Sequence, residues 1–471
     1  MEAAKLFSAS NLDVYRGNRL VLSNIELSLN EGEVVALVGP NGSGKTTLLE
    51  SCAGMHRMTS GKVEWRDDNG GVRIIRDFEG RRKRLPPMGL TLQMDGICGD
   101  ETIEERLSTA LSISGRAPSS SDLNQMLSAW GLDHRAVDPT AQLSGGLRRR
   151  LAVLCGLSPA VMSANPRAIL LDEPSEGLDE SARGLLVNWM RALAAQGHGI
   201  LIATHDPEMI AASDRIVSVL EDGTLSSETQ DCLAFAGELP DPCPAIEPNP
   251  LASHLRWAFR MEVRNPIDTI SRLLPALISL LLIHTFVGEK EILASGNDFL
   301  AALIIAPAFI SVLVAPALIK RYAEADCGRW WSALLGPMHR ISSSFIGASL
   351  ILPLPLIYIS WLILGDTAPA ETSQDVLESI WIIGLSLIDV SIAAAAVHLL
   401  VSDLHRSNAA AASLLLLILV WPFIELTDAL TIILNDGMTF GLGMEEPFTM
   451  ILLASLTSVL IWLVAVFLPD V

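Results

Sequence analysis

Two hydrophobic rhythms divide this chain. Its first half sets short apolar runs among charged and polar residues, whereas from about Pro266 onward long apolar runs are broken only by short polar ones. In the first half, Leu12–Leu29 alternates as paired strands do, with Arg16-Gly17-Asn18-Arg19 as the turn. Glu33–Val38 reads as a buried strand, and Thr47-Leu48-Leu49-Glu50 opens a helix. Gly61–Trp65 reads as a further strand, and the glycine-rich, charged piece to about Gly80 as a surface hairpin. Gln93 lies at the end of the strand Leu90–Met94, while Ala168–Leu171 and Ile200–Ala203 are buried strands that end in polar residues.

Between the halves, Ser226 to Pro250 carries acids and Pro240, Pro242, Pro244, Pro248 and Pro250. The expected organisation is a soluble domain over residues 1–228, a Pro-rich acidic linker over 229–252 and a membrane domain over 253–471. His254–Arg264, with Leu255, Trp257, Ala258, Phe259 and Val263 among Arg256, Arg260 and Arg264, predicts an amphipathic helix on the membrane surface. A hydrocarbon core takes about 20 helical residues to cross, which gives about six spans. They are Ile267–Val287, Phe299–Ile319, Ser342–Leu364, Val376–Val397, Ala409–Leu426 and Met450–Leu468. Loops on one side hold Lys320, Arg321, Arg329, Arg340 and Arg406 and those on the other only Lys290, so the soluble domain and both termini are expected in the cytoplasm of a multi-pass cell-membrane protein.

Composition narrows the function. The net charge of −20 argues against nucleic acid as a partner, and the basic run Arg81-Arg82-Lys83-Arg84 reads as a solvated loop. The 6 cysteines show no CxxC pair and are expected reduced and mostly buried. The N-terminus lacks an apolar signal core.

Gly39-Pro40-Asn41-Gly42-Ser43-Gly44-Lys45-Thr46, between a buried strand and a helix, fits the phosphate-cradling loop. Its backbone N–H groups and the helix N-terminus suit a pyrophosphate, with Lys45 on the β- and γ-phosphates, the Thr46 hydroxyl on Mg²⁺ and Thr47 completing the site. Asp172-Glu173 at a strand end suits a Mg²⁺-nucleotide hydrolase: Asp172 near the metal, Glu173 on the attacking water.

Leu143-Ser144-Gly145-Gly146-Leu147 resembles the signature motif of the ATP-binding cassette (ABC) family, with Leu147 where that family usually has Gln. The resemblance covers about residues 5–225 and implies an α/β P-loop NTPase, the ABC nucleotide-binding domain, followed by an all-α six-helix transmembrane domain of ABC-2 exporter type. It further implies that Tyr15 stacks on adenine, that Gln93 contacts Mg²⁺ and the attacking water, that Asp179 lies in the D-loop and that His205 reaches the γ-phosphate. ATP and Mg²⁺ are then the cofactors, and Ser144, Gly145 and Gly146 close on ATP held by a second copy, so a homodimer or pseudo-dimer is expected.

The loop Arg321–Pro337 is similar to the coupling segment of ABC-2 exporters, and nearest to the membrane subunit CcmB of the haem-exporter, or cytochrome c maturation, system. The soluble half is likewise similar to the partner ATPase CcmA, which would make the chain a fusion of the two, with other maturation subunits and a haem chaperone as partners. On this resemblance the ATPase cycle delivers haem or releases a loaded chaperone. The alternatives are a general ABC-2 exporter of lipid, drug or glycan, and a mechanical or regulatory membrane ATPase. Asp389, inside the fourth expected span, either lines a substrate path or pairs with hydroxyls of a neighbouring helix. His284, His398 and His405 read as interfacial, not as haem ligands, and Trp361, Trp381 and Trp421 as an aromatic belt.

Overall fold

A computed structural model describes residues 4–232, 237–290, 297–314, 316–349, 353–364, 373–403 and 417–467. The chain forms two compact units. One runs to Trp257 and adds Arg321–His339; the other takes Ala258–Lys320 and the described residues from Arg340 on.

The first unit is built on two sheets. β1 (Lys5–Arg16), β2 (Arg19–Asn30), β4 (Ser60–Arg66) and β5 (Val72–Asp77) make an antiparallel sheet in the order β2-β1-β4-β5. The second sheet runs β10-β9-β3-β8-β7-β6, from β3 (Val34–Val38), β6 (Gly89–Thr91), β7 (Ala168–Asp172), β8 (Gly199–Ala203), β9 (Arg215–Val219) and β10 (Leu225–Thr229). Strands β3, β6, β7, β8 and β9 are parallel, and β10 is an antiparallel edge. Parallel strands covered on both faces need unbroken apolar sequence, and every residue of β7 and β8 is buried. The C-terminal ends of β3, β7 and β8 lead into Gly39, Glu173 and His205.

Helices α1 (Lys45–Cys52), α2 (Ile103–Ile113), α3 (Ser120–Ala129), α4 (Gly145–Val161), α5 (Glu180–Ala195) and α6 (Pro207–Ala211) complete the domain. Capping boxes at Thr102–Glu105 and Ser119–Asp122 start α2 and α3. Residues after β10 lie on this unit, where Ile246 N donates to Gly115 O at 3.0 Å.

α7 (Pro250–Arg264) begins four residues before the expected helix, and its face is not wholly free for lipid. His254, Trp257, Ala258 and Met261 are buried, while Leu255, Phe259 and Val263 are exposed. His254 and Trp257 join Tyr322, Trp331 and His339 in an aromatic cluster, with His254 Nε2 2.5 Å from the Tyr322 hydroxyl.

In the second unit lie α8 (Pro266–Lys290), α9 (Asn297–Leu313), most of α10 (Ala317–Ala323) up to Lys320, α12 (Met338–Ser349) from Arg340, α13 (Pro353–Leu364), α14 (Ser373–Asp403), α15 (Val420–Asp436) and α16 (Pro447–Phe467). Their core is aliphatic, with Leu300, Ile304, Ile357, Val390, Leu430 and Ala454 buried. Among the described residues, four helical stretches are long and apolar enough to cross a membrane: Asn297–Leu335, Met338–Leu364, Ser379–Ser402 and Pro447–Phe467. The expected count of six is thus reached only in part. The first expected span lies in α8, where among the described residues Leu273–Ile283 is an apolar helical stretch. Much of Ala409–Leu426 lies outside the described residues, and the helix there, α15, runs on to Asp436.

Trp361 is buried, unlike Trp381 and Trp421, and so does not belong to an interfacial belt. His398 Nε2 is 3.0 Å from the Leu313 carbonyl oxygen, a helix-to-helix contact. The His284 side chain and His405 fall outside the described residues. Asp389 is half-buried beside Ser455, whose hydroxyl donates to Ser386 at 3.0 Å.

Candidate functional site

The site grows from the end of β3. Gly39 turns the chain at φ 149°, and a Cβ there would sit 2.6 Å from the Val219 carbonyl oxygen. Gly44 caps α1 in the left-handed region at φ 107°, which favours glycine over any side chain. Pro40, Asn41 and Gly42 are exposed at the tip, and Ser43 follows them half-buried. Lys45 and Thr47 are buried in the first turn of α1, and Lys45 Nζ donates to Gly39 O at 2.9 Å and Pro40 O at 3.2 Å. Burial pulls the Lys45 ammonium below its ordinary pKa, opposed by the charges of Glu173 and Asp172.

Those two carboxylates close the site from β7. Asp172 ends the strand at 1% exposure, and burial raises its pKa to about 6, with a Thr46 hydrogen bond opposing the shift. Its Oδ1 and the Ser43 hydroxyl are buried atoms with no hydrogen-bond partner. Glu173 has a left-handed backbone at φ 44°, rare for a residue with a side chain. Its N–H donates to Ala203 O at 2.8 Å, while Oε2 accepts from the His205 N–H at 3.3 Å and Oε1 lies 3.4 Å from His205 Nε2. Lys45, Thr46, Asp172, Glu173 and His205, drawn from three loops, therefore meet.

A residue the motif pattern did not single out fastens this cluster. Arg149, on α4 and 5% exposed, donates to Asp172 O and Glu173 O at 2.8 Å each, to Leu92 O at 2.9 Å and to Gln93 O at 3.2 Å. It also pairs with Asp95 at 3.2 Å. Gln93 itself is exposed in a bend two residues past the end of β6, not at the strand end. The signal for Arg149 was a cation in line with the apolar face of α4, flanked by Leu151 and Ala152, which are buried.

Ser144, Gly145 and Gly146 form a second cluster at the N-terminus of α4. The Ser144 hydroxyl caps the helix by accepting from Leu147 N at 3.4 Å. A Cβ on Gly146 would sit 3.1 Å from the Gly177 carbonyl oxygen. Asp179 caps α5 and accepts from Arg150 of α4 at 2.7 and 2.6 Å, a contact that holds its carboxyl below the usual range. Tyr15 is exposed on β1, opposite Leu20.

The segment from Arg321 to His339 is also built into this unit. Its left-handed residues Ala325 (φ 44°) and Asp326 (φ 60°) break α10 from α11 (Cys327–Leu335). Gly96 N donates to Ala325 O at 2.7 Å and Gly99 N to Glu324 Oε2 at 2.8 Å. The Arg106 guanidinium stacks 3.6 Å over Trp330, and Arg82 donates to Ser332 O at 2.8 Å. The basic run around Arg82 is therefore more than a solvated loop.

A family model described as "ABC transporter" matches residues 22–176. The chain is 32% identical over 206 residues to the lipoprotein-releasing system ATP-binding protein LolD 1 of Rhodospirillum rubrum, covering 43% of this chain and 87% of that one. The chain belongs to the ABC transporter family. It is 30% identical over 231 residues to the macrolide export ATP-binding/permease protein MacB of Acinetobacter baylyi, covering 48% of this chain and 34% of that one. A solved ATP-binding subunit of an ABC transporter overlays 48% of this chain and 90% of its own, at 25% identity and a TM-score of 0.41. This ABC protein binds and hydrolyses ATP and joins its cassette to membrane-type helices.

Among the described residues no group of three or more His, Cys, Asp or Glu could hold a metal alone. What is present is one carboxylate with an unpartnered buried oxygen and one hydroxyl, Asp172 and Thr46. That sparse oxygen set fits Mg²⁺, which completes its shell with water and phosphate oxygens.

Proposed function

We propose that the chain is an ATP-driven exporter that works as a pair of copies, its cassette driving the membrane helices through Arg321–His339. The observation that carries this is the placing of that segment: it belongs to the cassette unit and hydrogen-bonds the loop that follows Gln93. Lys45 would exchange its bonds to Gly39 and Pro40 for the β- and γ-phosphates, and Tyr15 would stack on adenine. Asp172 and Thr46 would hold Mg²⁺, which when bound offsets phosphate charge. Glu173 would accept the proton of the attacking water, with His205 orienting it. Ser144, Gly145, Gly146 and Asp179, at exposed helix starts, would face the ATP of the second copy. The six-span count and the division at residues 228 and 252 belong to this same reading.

For cargo we favour a general lipid-like or drug-like amphiphile. Two relatives' names support this: one concerns macrolide export by a protein that, like this chain, joins cassette and permease, and one concerns lipoprotein release. The haem reading rests only on the loose pattern of Arg321–Pro337, and none of these names concerns haem. The test is purification of the intact chain from its own membranes, with haem absorbance, partner identification and ATPase measured on one sample. A haem-free chain whose ATPase rises with lipophilic compounds supports the exporter; recovery with haem and cytochrome c maturation partners overturns it in favour of haem delivery.

A further inference from the structure

Glu50 sits at 2% exposure on α1, the helix that begins with Lys45 and Thr46. A buried carboxylate needs charge compensation or hydrogen bonds, and this one has two arginine neighbours and one histidine, from three different parts of the chain. Arg329 Nη2 of the docked segment donates to Oε1 at 2.6 Å. His56 Nε2 lies 2.6 Å from Oε2, and Arg16, next to Tyr15 on β1, reaches Oε2 at 3.4 Å.

Two features set this cluster apart from an ordinary structural ion pair. Arg329 is 44% exposed, so its end of the pair is screened by water and can leave Glu50 without burying a free cation. Arg16 pairs with Oε2 and the His56 ring lies within hydrogen-bond distance of it, so Glu50 keeps partners when Arg329 leaves Oε1. The arrangement suits a contact that is made and broken. Because α1 is rigid, and Glu50 lies about 7.5 Å along it from Lys45, motion of the phosphate loop carries the Glu50 carboxylate with it. A charged hydrogen bond of this length weakens steeply with a displacement on the order of 1 Å.

We propose that Glu50 and Arg329 are a pair of positioning residues through which the phosphate-loop helix grips the Arg321–His339 segment in one nucleotide state and releases it in the other. This grip is separate from the one made by the loop after Gln93, and it rests on the exporter reading above. Cys327, buried two residues before Arg329, supplies the readout, because release of the segment exposes its thiol.

The experiment alkylates the full chain in lipid nanodiscs with N-ethylmaleimide, with and without Mg-ATP, and follows Cys327 by peptide mass spectrometry. In the unsubstituted chain ATP is expected to change the Cys327 rate by at least ~5-fold. In Arg329→Ala the ATP effect is expected to fall below about 2-fold with ATP affinity retained, and Arg329→Lys is expected to restore it. A full ATP response in Arg329→Ala, or no response in the unsubstituted chain although it turns over ATP, overturns this pair alone. A chain that neither binds nor hydrolyses ATP overturns the exporter reading and this inference together.

Discussion

Arg149 donates a 2.8 Å hydrogen bond to the carbonyl oxygen of Glu173, the residue held at φ 44°. A left-handed backbone at a glutamate costs on the order of 1–3 kcal/mol and persists only where its surroundings over-determine it. Here Arg149 and Ala203 fix the peptide on either side of Glu173. The same guanidinium bonds the carbonyls of Leu92 and Gln93, so the loop leading to the docked segment and the Asp172–Glu173 pair share one support. Arg149→Met keeps the side-chain length and removes the donors. Its expected effect is a fall in kcat of about 10–100-fold with ATP affinity nearly unchanged, since misplacement by about 1 Å suffices for that loss. Steady-state phosphate release and equilibrium ATP binding check it.

If Asp172 holds Mg²⁺ as proposed, its protonation sets the acid limit of metal use. Burial raises its pKa to about 6, so as pH falls through 6 the carboxyl takes up a proton and would no longer serve as a metal ligand. The apparent Mg²⁺ affinity for turnover is expected to weaken by about 10-fold per pH unit below 6 and to level off above pH 7. Mg²⁺ titrations of ATPase rate between pH 5 and pH 8 read this directly. For stability the sign is the same as for any carboxyl with a raised pKa: its contribution is full below the unfolded value and is lost as pH rises through about 6.

His198 acts in the opposite direction. Its Nδ1 accepts from Arg167 N at 3.0 Å, and burial, with Arg167 and Arg116 nearby, lowers its pKa to about 4. The folded pKa is below the unfolded one, so the unfolded state binds more protons between pH 6.5 and about 4, and stability is lost as pH falls through that window. The loss amounts to about 3 kcal/mol. His198→Asn preserves an acceptor for Arg167 N and cannot titrate. Denaturant unfolding at pH 7 and pH 4.5 is expected to show a smaller acid loss in this variant than in the parent chain, a difference to which Asp172 contributes equally in both.

Much of the cassette was legible because its elements are local in sequence. The apolar runs Val34–Val38, Ala168–Leu171 and Ile200–Ala203 could only be buried strands, and each lies in the six-stranded sheet. The meeting of Lys45, Asp172, Glu173 and His205 follows from that topology, since parallel strands bring their C-terminal ends to one edge. What the pattern could not show is which charges are buried. Arg149, Glu50 and Arg82 look like surface residues in a linear reading, and only the packing of α4, α1 and Arg321–His339 gives them their partners. The membrane half was less legible because apolarity alone does not set helix ends: α15 extends ten residues past the expected Leu426.

Glu173→Gln tests most directly whether Glu173 is the proton acceptor. With [γ-³²P]ATP and purified full-length chain, the variant is expected to bind ATP as tightly as the parent, to accumulate as a closed pair of chains and to turn over at least ~10²-fold more slowly. Near-normal hydrolysis by Glu173→Gln, with the protein folded and ATP bound, would remove Glu173 from the proton-acceptor role.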